Sequence, residues 1–284
     1  MRCKYREKMY RCGDYLTVDI YPVFHQGGKK TRRRAKYKPT SAMQAKLNQK
    51  NAEEALTRLL EANFCESDLE ITLTFSPDNL PDTYDLARRH AENYLRRVKR
   101  LRNRRELSSL KYVLIPGNGR FHFHIVMTGG IDRDELERIW GLGYANTKRL
   151  SFRENGVAGL ARYIASQYDI EDFSKGEDLF SIYDIDEETG ELTEKNDTRK
   201  KGQRRWSSSK NLIRPEPQFR DGKISSARVE ELASVDSSNR VAFEKLYPGY
   251  SLLGVEPYYN PDNGGYYLHV RMYSAKKRRS DRTV

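Results

Sequence analysis

The chain has 284 residues and a formal charge of +12, from 52 Lys and Arg against 40 Asp and Glu. That length can bury a substantial core in one large domain or two small ones, and no apolar run approaches the roughly 20 residues of a transmembrane helix. The positive charge favours a polyanionic partner, because neutralised phosphates release their counterions, although charge alone does not separate nucleic acid from an anionic membrane surface.

The cysteines and the N-terminus indicate a reducing compartment. Cys3, Cys12 and Cys65 are too few and too scattered for a disulfide framework or a Cys-x-x-Cys zinc site. Residues 1–6 lack the apolar core of a signal peptide. We therefore expect a cytoplasmic protein with no membrane partner.

The first part of the chain predicts a strand over residues 15–24 and a helix over residues 41–62, with Ser41 as its cap. Between them lies a basic segment, residues 29–34, which is either a solvated linker or a phosphate contact. Residues 68–75 then alternate between apolar and polar side chains, which predicts a half-buried strand.

The clearest predicted helix runs from residue 83 to residue 105, with Asp82 as its N-cap. We expect its packing stripe to consist of Leu86, His90, Tyr94, Val98 and Leu101. Nine basic side chains surround that stripe: Arg88, Arg89, Arg96, Arg97, Lys99, Arg100, Arg102, Arg104 and Arg105. This cationic surface is either solvated or in contact with nucleic acid.

A hairpin follows, with strands predicted over residues 110–115 and 121–127 around the turn residues 116–119. Asp132 can cap a short helix over residues 133–140, and a second helix is predicted over residues 157–168. The order strand, helix, hairpin, helix predicts an α+β fold: a mostly antiparallel central sheet with helices packed on it, and N- and C-terminal extensions.

The rest of the chain predicts an acidic surface insertion with a small hairpin, a basic patch over residues 199–206, and a hairpin formed by residues 250–256 and 266–273. We expect four segments: residues 1–66, with the first strand, basic segment and helix; 67–168, the core; 169–203, the insertion; and 204–284, a basic segment and a hairpin packing on the core. His269 in that hairpin is expected to be structural, as is His25.

The most informative motif is His122-Phe123-His124 within the predicted return strand. Side chains alternate along a strand, so the two histidines point to one face about 7 Å apart, and Phe121, Phe123 and Ile125 point to the other. Two imidazoles on one rigid surface can hold a divalent metal with positions left open for a substrate. The alternative is a pair of histidines on a half-exposed sheet face.

The helix predicted over residues 157–168 places Tyr163 and Gln167 on one face, because residues four apart are neighbours on a helix. A phenol and a carboxamide beside two imidazoles would set a nucleophile next to a metal. The alternative is that Tyr163 and Gln167 belong with Leu160 and Ile164 to an ordinary amphipathic stripe.

Taken together, these segments resemble the HUH endonuclease superfamily, and more closely the single-tyrosine rolling-circle replication proteins of phages, prophages and plasmids. That superfamily has three motifs in chain order, which here read Glu70-Ile71-Thr72-Leu73-Thr74-Phe75, then His122-Phe123-His124, then Gly159-Leu160-Ala161-Arg162-Tyr163-Ile164. Residues 129–136 and 140–146 are similar to the replication-associated family found in prophages of Gram-positive bacteria. The resemblance extends from residue 12 to residue 206 and again through the final hairpin.

The resemblance implies a site- and strand-specific enzyme that nicks and joins DNA in the cytoplasm of a bacterial host. Tyr163 would be the nucleophile and form a 5′-phosphotyrosine with a free 3′-OH, and His122, His124 and Gln167 would hold Mn²⁺ or Mg²⁺. The partner would be single-stranded or extruded origin DNA. The chain has no Gly-x-x-x-x-Gly-Lys-Ser/Thr loop, so unwinding and extension would need a host helicase and polymerase.

Three rival functions stay open. The first is a transposase or relaxase of the same superfamily, and the second is a catalytically inactive nucleic-acid-binding protein. The third is a metal-dependent hydrolase with no covalent step.

The sequence departs from the family pattern at two places. Related proteins usually carry a carboxylate on the strand before the histidine pair, where this chain has residues 115–119 and no acid. Many also have a lysine three residues after the tyrosine, where this chain has Ser166. Related single-tyrosine transposases use a glutamine one helical turn beyond the nucleophile as the third metal ligand, which is the place of Gln167. Tyr168 is a second candidate nucleophile.

We predict DNA contacts from Arg120, Lys148, Arg149, Arg162, Arg204, Arg205, Trp206 and Lys210. A tyrosine hydroxyl with its ordinary pKa of about 10 is a poor nucleophile, so nearby cations such as Arg162, Lys148 and Arg149 would assist it. The aromatics that can stack on unpaired bases, or else belong to the core, are Trp206, Tyr144, Trp140 and Phe152.

Overall fold

The computed structural model describes residues 4–24, 42–117, 120–152, 157, 159–160, 181–185, 192–196, 206–234, 238–261 and 263–274. These residues divide into two units. The central unit is drawn from Thr40–Thr57 and Phe64–Leu212, and the terminal unit from Met1–Pro39, Arg58–Asn63 and Ile213–Val284.

The described elements, in chain order, are β1 (Lys4–Cys12), β2 (Tyr15–Val23), α1 (Ala42–Glu61), β3 (Leu69–Thr74), a 3₁₀ turn (Pro77–Asn79), α2 (Tyr84–Arg104), β4 (Tyr112–Pro116), β5 (His122–Met127), α3 (Arg133–Trp140), β6 (Ala145–Arg149), β7 (Ser181–Ile185), β8 (Leu192–Asn196), β9 (Ser207–Ser208), β10 (Gln218–Asp221), α4 (Ser226–Ala233), α5 (Ser238–Leu246), β11 (Tyr250–Asn260) and β12 (Gly265–Ser274). Two five-stranded antiparallel sheets with helices confirm the predicted α+β class. No described helix is long and apolar enough to cross a membrane.

The central unit is built on a sheet with the strand order β6-β3-β5-β4-β9. β4 and β5 form the predicted hairpin, with Pro116 opposite Phe123. β3 lies on the other side of β5, with Thr72 opposite His124, and β6 pairs with the free edge of β3. Because the pairs are antiparallel, directly opposed residues present their side chains on the same face of the sheet.

Helices α2 and α3 cover one face of this sheet and enclose the core of the central unit. The principal core side chains are Leu69, Ile71, Leu73, Phe123, Ile125, Ala87, Ala91, Tyr94, Leu95, Val98, Leu101, Leu136 and Trp140. Phe123 and Ile125 therefore point into the core, as the alternation of β5 predicts, and the histidines between them point to the opposite face.

The packing stripe of α2 differs in part from the prediction. Tyr94, Val98 and Leu101 are buried as expected, but Leu86 is 38 % exposed and His90 is only half-buried. Positions nearer the sheet are filled by small side chains such as Ala87 and Ala91, which let the helix backbone approach the strands closely. Sequence periodicity favours large apolar residues and so overlooks such alanines.

The N-cap of α2 is also one residue later than predicted. Thr83, not Asp82, has the extended backbone of a cap (φ −135°, ψ 149°), and its hydroxyl accepts a hydrogen bond from the backbone N–H of Leu86. The cap of α3 is Asp132, as predicted, whose carboxylate accepts hydrogen bonds from the backbone N–H groups of Asp134 and Glu135.

The terminal unit is a second antiparallel sheet with the order β10-β1-β2-β12-β11. The predicted hairpin near the C-terminus is β11 and β12, and β12 pairs directly with β2, with Val270 opposite Val18. α4 and α5 cover one face, and the core between them and the sheet includes Met9, Val18, Ile20, Val229, Leu232, Phe243, Leu268, Val270 and Met272.

Several elements escaped the sequence analysis: β1, β6, β9, β10, α4 and α5. In β1 the apolar side chains alternate with charged ones, and one charged residue, Glu7, is buried beside them. The apolar pattern of β1 is therefore interrupted on its own buried face. The small hairpin predicted within the acidic insertion is present as β7 and β8.

His269 is structural, as predicted. It lies on β12 directly opposite Asp19 of β2, and its Nδ1 is 2.7 Å from the Asp19 carboxylate. His25 lies outside the described residues.

Candidate active site

The face of the central sheet that α2 and α3 leave uncovered carries the histidine pair. His122 lies opposite Thr74 and His124 lies opposite Thr72, so all four side chains share this face. The two imidazole centroids are 5.2 Å apart and the ring planes stand at 82° to each other. The pair is thus held on one rigid strand with its rings adjacent.

Two backbone contacts orient His122. Its Nδ1 lies 2.8 Å from the carbonyl oxygen of Arg120, which can only accept, so Nδ1 carries the proton. In the neutral ring the lone pair is then on Nε2. The ring also lies directly over Gly117, where an added Cβ would collide with it. Gly117 therefore provides the space that the His122 ring occupies.

His124 is held differently, because it is buried, with 4 % of its surface exposed. Its Nδ1 lies 3.2 Å from the Thr72 hydroxyl. Burial lowers the pKa of His124 to about 4, and the adjacent His122 adds to that effect. The ring is therefore neutral at pH 7, the state in which imidazole binds a metal.

A row of side chains crosses the sheet at the level of His124. Asn146 on β6 lies opposite Thr72, Thr72 opposite His124, and His124 opposite Ile115 on β4. β9 continues the row, because Ser207 lies opposite Leu114 and the residue before it, Trp206, is the next in the antiparallel register. Trp206 is half-buried at this edge.

The predicted nucleophile and third ligand cannot be placed against this row. Tyr163, Gln167 and Tyr168 lie outside the described residues. In the described part of the chain, no Cys, Asp or Glu completes a three-ligand cluster with His122 and His124. This agrees with the missing carboxylate noted in the sequence.

The predicted DNA-contacting cations fall into three groups. Lys148 is exposed on β6, opposite Glu70, and therefore on the face of the histidines, whereas the next side chain, Arg149, alternates to the other face. Arg120 donates a hydrogen bond of 3.0 Å from its guanidinium to the carbonyl oxygen of Phe75. Arg162, Arg204 and Arg205 lie outside the described residues, and Lys210 is exposed.

Glu70 and Lys148 form an electrostatic pair on this face. Partial burial raises the pKa of Glu70 above its ordinary value, and the positive charge of Lys148 acts against that rise. The pair places a carboxyl group and an ammonium group one row beyond His124, since Glu70 lies opposite Val126.

The aromatic side chains named as stacking candidates separate clearly. Trp140 is fully buried, and its indole N–H donates to the carbonyl oxygen of Thr74, so it belongs to the core and cannot stack on a base. Tyr144 is 68 % exposed next to the edge strand β6. Phe152 is half-buried.

Sequence analysis missed three residues that shape this site: Thr72, Asn146 and Gly117. Thr72 was visible as a polar position in the alternation of β3, but its partner depends on the register between β3 and β5. Asn146 was missed because β6, with the sequence Ala-Asn-Thr-Lys-Arg, has little strand propensity. Gly117 was assigned only to the turn.

Comparison with known proteins gives one match. Residues 68–168 match the replication-associated protein ORF2 family. The matched segment is about a third of the chain and contains β3, α2, the β4–β5 hairpin, α3 and β6, together with the histidine pair. No curated protein and no solved structure matches.

This match supports the predicted resemblance to a rolling-circle replication initiator. Replication-associated proteins act on DNA, in keeping with the positive charge of the chain. The two neutral imidazoles, adjacent on one face, fit two positions of a divalent metal site. The donor set on the described strands is incomplete, so a further ligand has to come from elsewhere in the chain.

Proposed function

We propose that the protein nicks and rejoins one strand of origin DNA through a tyrosine nucleophile, and so initiates rolling-circle replication of a phage or plasmid in a bacterial cytoplasm. The observation that carries the proposal is the oriented histidine pair on β5, inside the segment that matches the replication-associated family. The two orienting contacts, from the Arg120 carbonyl and from Thr72, leave both rings fixed before any substrate arrives.

In this proposal Tyr163 supplies the nucleophile and His122, His124 and Gln167 hold Mn²⁺ or Mg²⁺. When bound, the metal acts as a Lewis acid on one oxygen of the scissile phosphate. The Tyr163 oxygen forms a bond to phosphorus and releases its proton, while the bond from phosphorus to the 3′ oxygen breaks and that oxygen takes up a proton. The products are a 5′-phosphotyrosine and a free 3′-OH.

The covalent bond explains why a tyrosine would be used. A phosphotyrosine diester retains the energy of the original phosphodiester, so the strand can be rejoined without ATP. The free 3′-OH can prime a host polymerase, and a host helicase would separate the strands. A simple hydrolase would need neither the covalent bond nor the tyrosine.

Lys148, Trp206 and Tyr144 are the described residues that we propose for substrate contact. Lys148 shares the face of the histidines, Trp206 continues the row of His124 on the opposite edge, and Tyr144 is exposed beside β6. A cation and two aromatic rings suit a single strand with unpaired bases. Arg120, Arg149, Arg162, Arg204, Arg205 and Lys210 complete the proposed set of DNA contacts.

A covalent-adduct assay tests the proposal. The full-length protein is incubated with labelled single-stranded origin DNA and Mn²⁺, and a protein–DNA adduct that resists denaturant is sought. We expect Tyr163→Phe to abolish the adduct and retain DNA binding, and the matched change Tyr168→Phe to retain both.

The other outcomes select the rival functions. Cleavage that survives Tyr163→Phe would favour a metal-dependent hydrolase. Binding with no cleavage by the wild type would favour an inactive nucleic-acid-binding protein. An adduct that forms only with transposon ends or transfer origins would favour a transposase or relaxase.

The metal preference can be predicted from the ligands. Two imidazoles and a neutral carboxamide suit Mn²⁺ better than Mg²⁺, which prefers oxygen ligands of higher charge. We therefore expect faster adduct formation in Mn²⁺ than in Mg²⁺ at equal concentrations, measured as initial rates on the same DNA. Equal or faster rates in Mg²⁺ would contradict the proposed ligand set.

A further inference from the structure

The outward side of α2 carries a group of cations that the nicking reaction does not use. Six exposed basic side chains make up what we call the cationic face of α2: Arg89, Arg96, Arg97, Lys99, Arg100 and Arg104. They lie on the side of the helix opposite its buried residues, since the helix turns about 100° per residue. From Arg96 to Arg104, Asn103 is the only exposed residue that is not basic.

These cations have no anionic partners among the described residues. The acids of α2 are Asp85 and Glu92, both in its first half, and Glu92 is paired with Arg88. Arg105, just after the helix, is paired with Glu135. No member of the cationic face of α2 makes an ion pair within the described part of the chain.

The arrangement costs stability unless an anion is present. Arg96 and Arg100, and then Arg100 and Arg104, are four residues apart, where like charges repel each other on a helix. Attraction to the negative C-terminal end of the helix offsets this only within the last turn. Arg89, Arg96 and Arg97 lie before that turn, so the helix end does not account for them.

The cationic face of α2 is also separate from the histidine pair. α2 packs on the sheet face that carries Ile71 and Phe123, whereas Thr72 and His124 alternate with them and point to the other face. The sheet lies between the two surfaces. A DNA strand held beside His122 and His124 is therefore not the stretch of DNA that contacts the cationic face of α2.

The chemistry of the surface identifies its partner. Every residue of α2 is described, and none of its aromatic rings is exposed, so the helix offers charge and no platform for stacking on bases. Arg96, Arg100 and Arg104 repeat about every 6 Å along one side. Duplex DNA carries a phosphate charge about every 1.7 Å along its axis, twice the density of one strand. The surface thus suits the duplex backbone.

We propose that the cationic face of α2 binds the phosphate backbone of double-stranded DNA, without sequence preference, as a second DNA-binding surface. This goes beyond the proposed nicking function and does not depend on it. Where both functions hold, duplex flanking the nicking site would occupy α2 while the single strand occupies the histidine face.

The test compares two variants of the full-length protein that lose the same charge. The first changes Arg89, Arg96, Arg100 and Arg104 to Gln, which keeps helix propensity. The control changes Lys223, Arg228, Arg240 and Lys245 of the terminal unit to Gln. Circular dichroism checks that both are folded. Binding to a duplex of about two helical turns, lacking any origin sequence, is measured over a range of salt concentrations.

We expect the α2 variant to bind the duplex at least about tenfold more weakly at about 0.15 M salt, with a salt slope less steep by roughly 2 to 4. The control should change by less than about threefold. Lysine at the same four positions should retain most of the binding, because charge is kept. The adduct assay on a short single strand should be unaffected in both variants.

Several results would overturn the proposal. Equal losses in the two variants would show that net charge alone acts, and unchanged duplex binding in the α2 variant would show that the helix is only solvated. Loss of binding to anionic vesicles, with duplex binding intact, would assign the surface to a membrane. Failure of the adduct assay in the wild type would remove the nicking function and leave the duplex result standing.

Discussion

The hydroxyl of Thr72 contacts a ring on which the proposed chemistry depends. It lies 3.2 Å from Nδ1 of His124 and can hold that buried ring in one orientation. Such contacts to the second nitrogen of a metal-binding histidine set its tautomer and direction. The same sheet offers a matched position, since Thr147 on β6 is also a buried threonine but lies on the α2 face, opposite Ile71.

Valine at these two positions should therefore have different effects. We expect Thr72→Val to slow adduct formation about tenfold or more, because the His124 ring loses its orienting partner. Thr147→Val should leave the rate unchanged and stabilise the protein by up to about 1 kcal/mol, because the Thr147 hydroxyl has no hydrogen-bond partner among the described residues. Adduct rates and urea unfolding of the two variants give the comparison. Equal rates would show that Thr72 does not position His124.

Glu61 in the terminal unit predicts a specific pH dependence of stability. Its carboxylate is fully buried and lies 2.5 Å from the guanidinium of Arg271. Burial raises the pKa of Glu61 to about 7 even though Arg271 acts to lower it. We accept the upward direction, because one carboxylate oxygen, Oε2, is buried with no hydrogen-bond partner among the described residues.

A group whose pKa is raised on folding binds its proton more tightly in the folded state. Its contribution to stability is therefore complete below about pH 4.5 and is lost as the pH rises to about 7. The full effect is on the order of 3 kcal/mol at most. We expect the free energy of unfolding of Glu61→Gln, measured relative to the wild type, to increase between pH 5 and pH 7 by about 1 kcal/mol or more. A constant difference across that range would contradict the raised pKa.

Predictability at the residue scale depended on distance along the chain. The alternation that puts His122 and His124 on one face is local, so the sequence alone showed it. The partner of His124 is different, because Thr72 comes from another strand and its position depends on the register of that pairing. The ring position over Gly117 likewise needs three-dimensional coordinates.

At the scale of elements, α2 shows what periodicity detects and what it omits. Its extent was predicted within one residue at each end, because a long amphipathic pattern is a strong signal. The details differed, because Ala87 and Ala91 carry little hydrophobic signal and because Asp82 and Thr83 are both good capping residues. Only backbone geometry distinguishes two adjacent caps.

The cap assignment leads to a stability prediction with a built-in control. Thr83→Ala should destabilise the protein by about 1 kcal/mol, since the N–H of Leu86 loses its side-chain acceptor. Asp82→Ala should cost clearly less, because Asp82 makes no capping bond in α2. Chemical denaturation of the two variants measures the difference. A larger loss in Asp82→Ala would restore the cap predicted from the sequence.

β6 illustrates an element that forms through its neighbours. Its five residues have little strand propensity, yet they pair along β3 from Leu69 to Leu73. The residue before β6, Tyr144, accepts hydrogen bonds through its carbonyl oxygen from the backbone and the hydroxyl of Thr74. The backbone needs of β3 therefore determine the strand, and such tertiary causes are not visible in a local window.

At the scale of the whole molecule, the terminal unit is assembled from the two ends of the chain. β1 and β2 come from the first residues, and β12, α4 and α5 from the last. Pairing of this kind joins residues far apart in sequence, which single-sequence patterns cannot specify. The sequence predicted the final hairpin but not its pairing with β2. The central unit was easier to predict because most of its sheet comes from one continuous segment.

One buried hydrogen bond joins the two ends directly. The Tyr247 hydroxyl donates to the Glu7 carboxylate at 2.6 Å, and both side chains are buried. Burial raises the pKa of Tyr247, and Glu7 raises it further, so the phenol stays protonated and remains a donor. Since the bond spans from β1 to the residue after α5, it reports on the closure of the terminal unit.

We expect Tyr247→Phe to destabilise the protein by about 1–3 kcal/mol, because the buried Glu7 carboxylate loses a donor that water cannot replace. Tyr250→Phe is the matched control and should cost less, since Tyr250 is only half-buried. Adding Glu7→Leu to Tyr247→Phe should recover part of the loss, because a double-mutant cycle isolates the pair. Urea unfolding gives all four free energies. If the losses of the two single changes simply added, the hydrogen bond would not couple the ends of the chain.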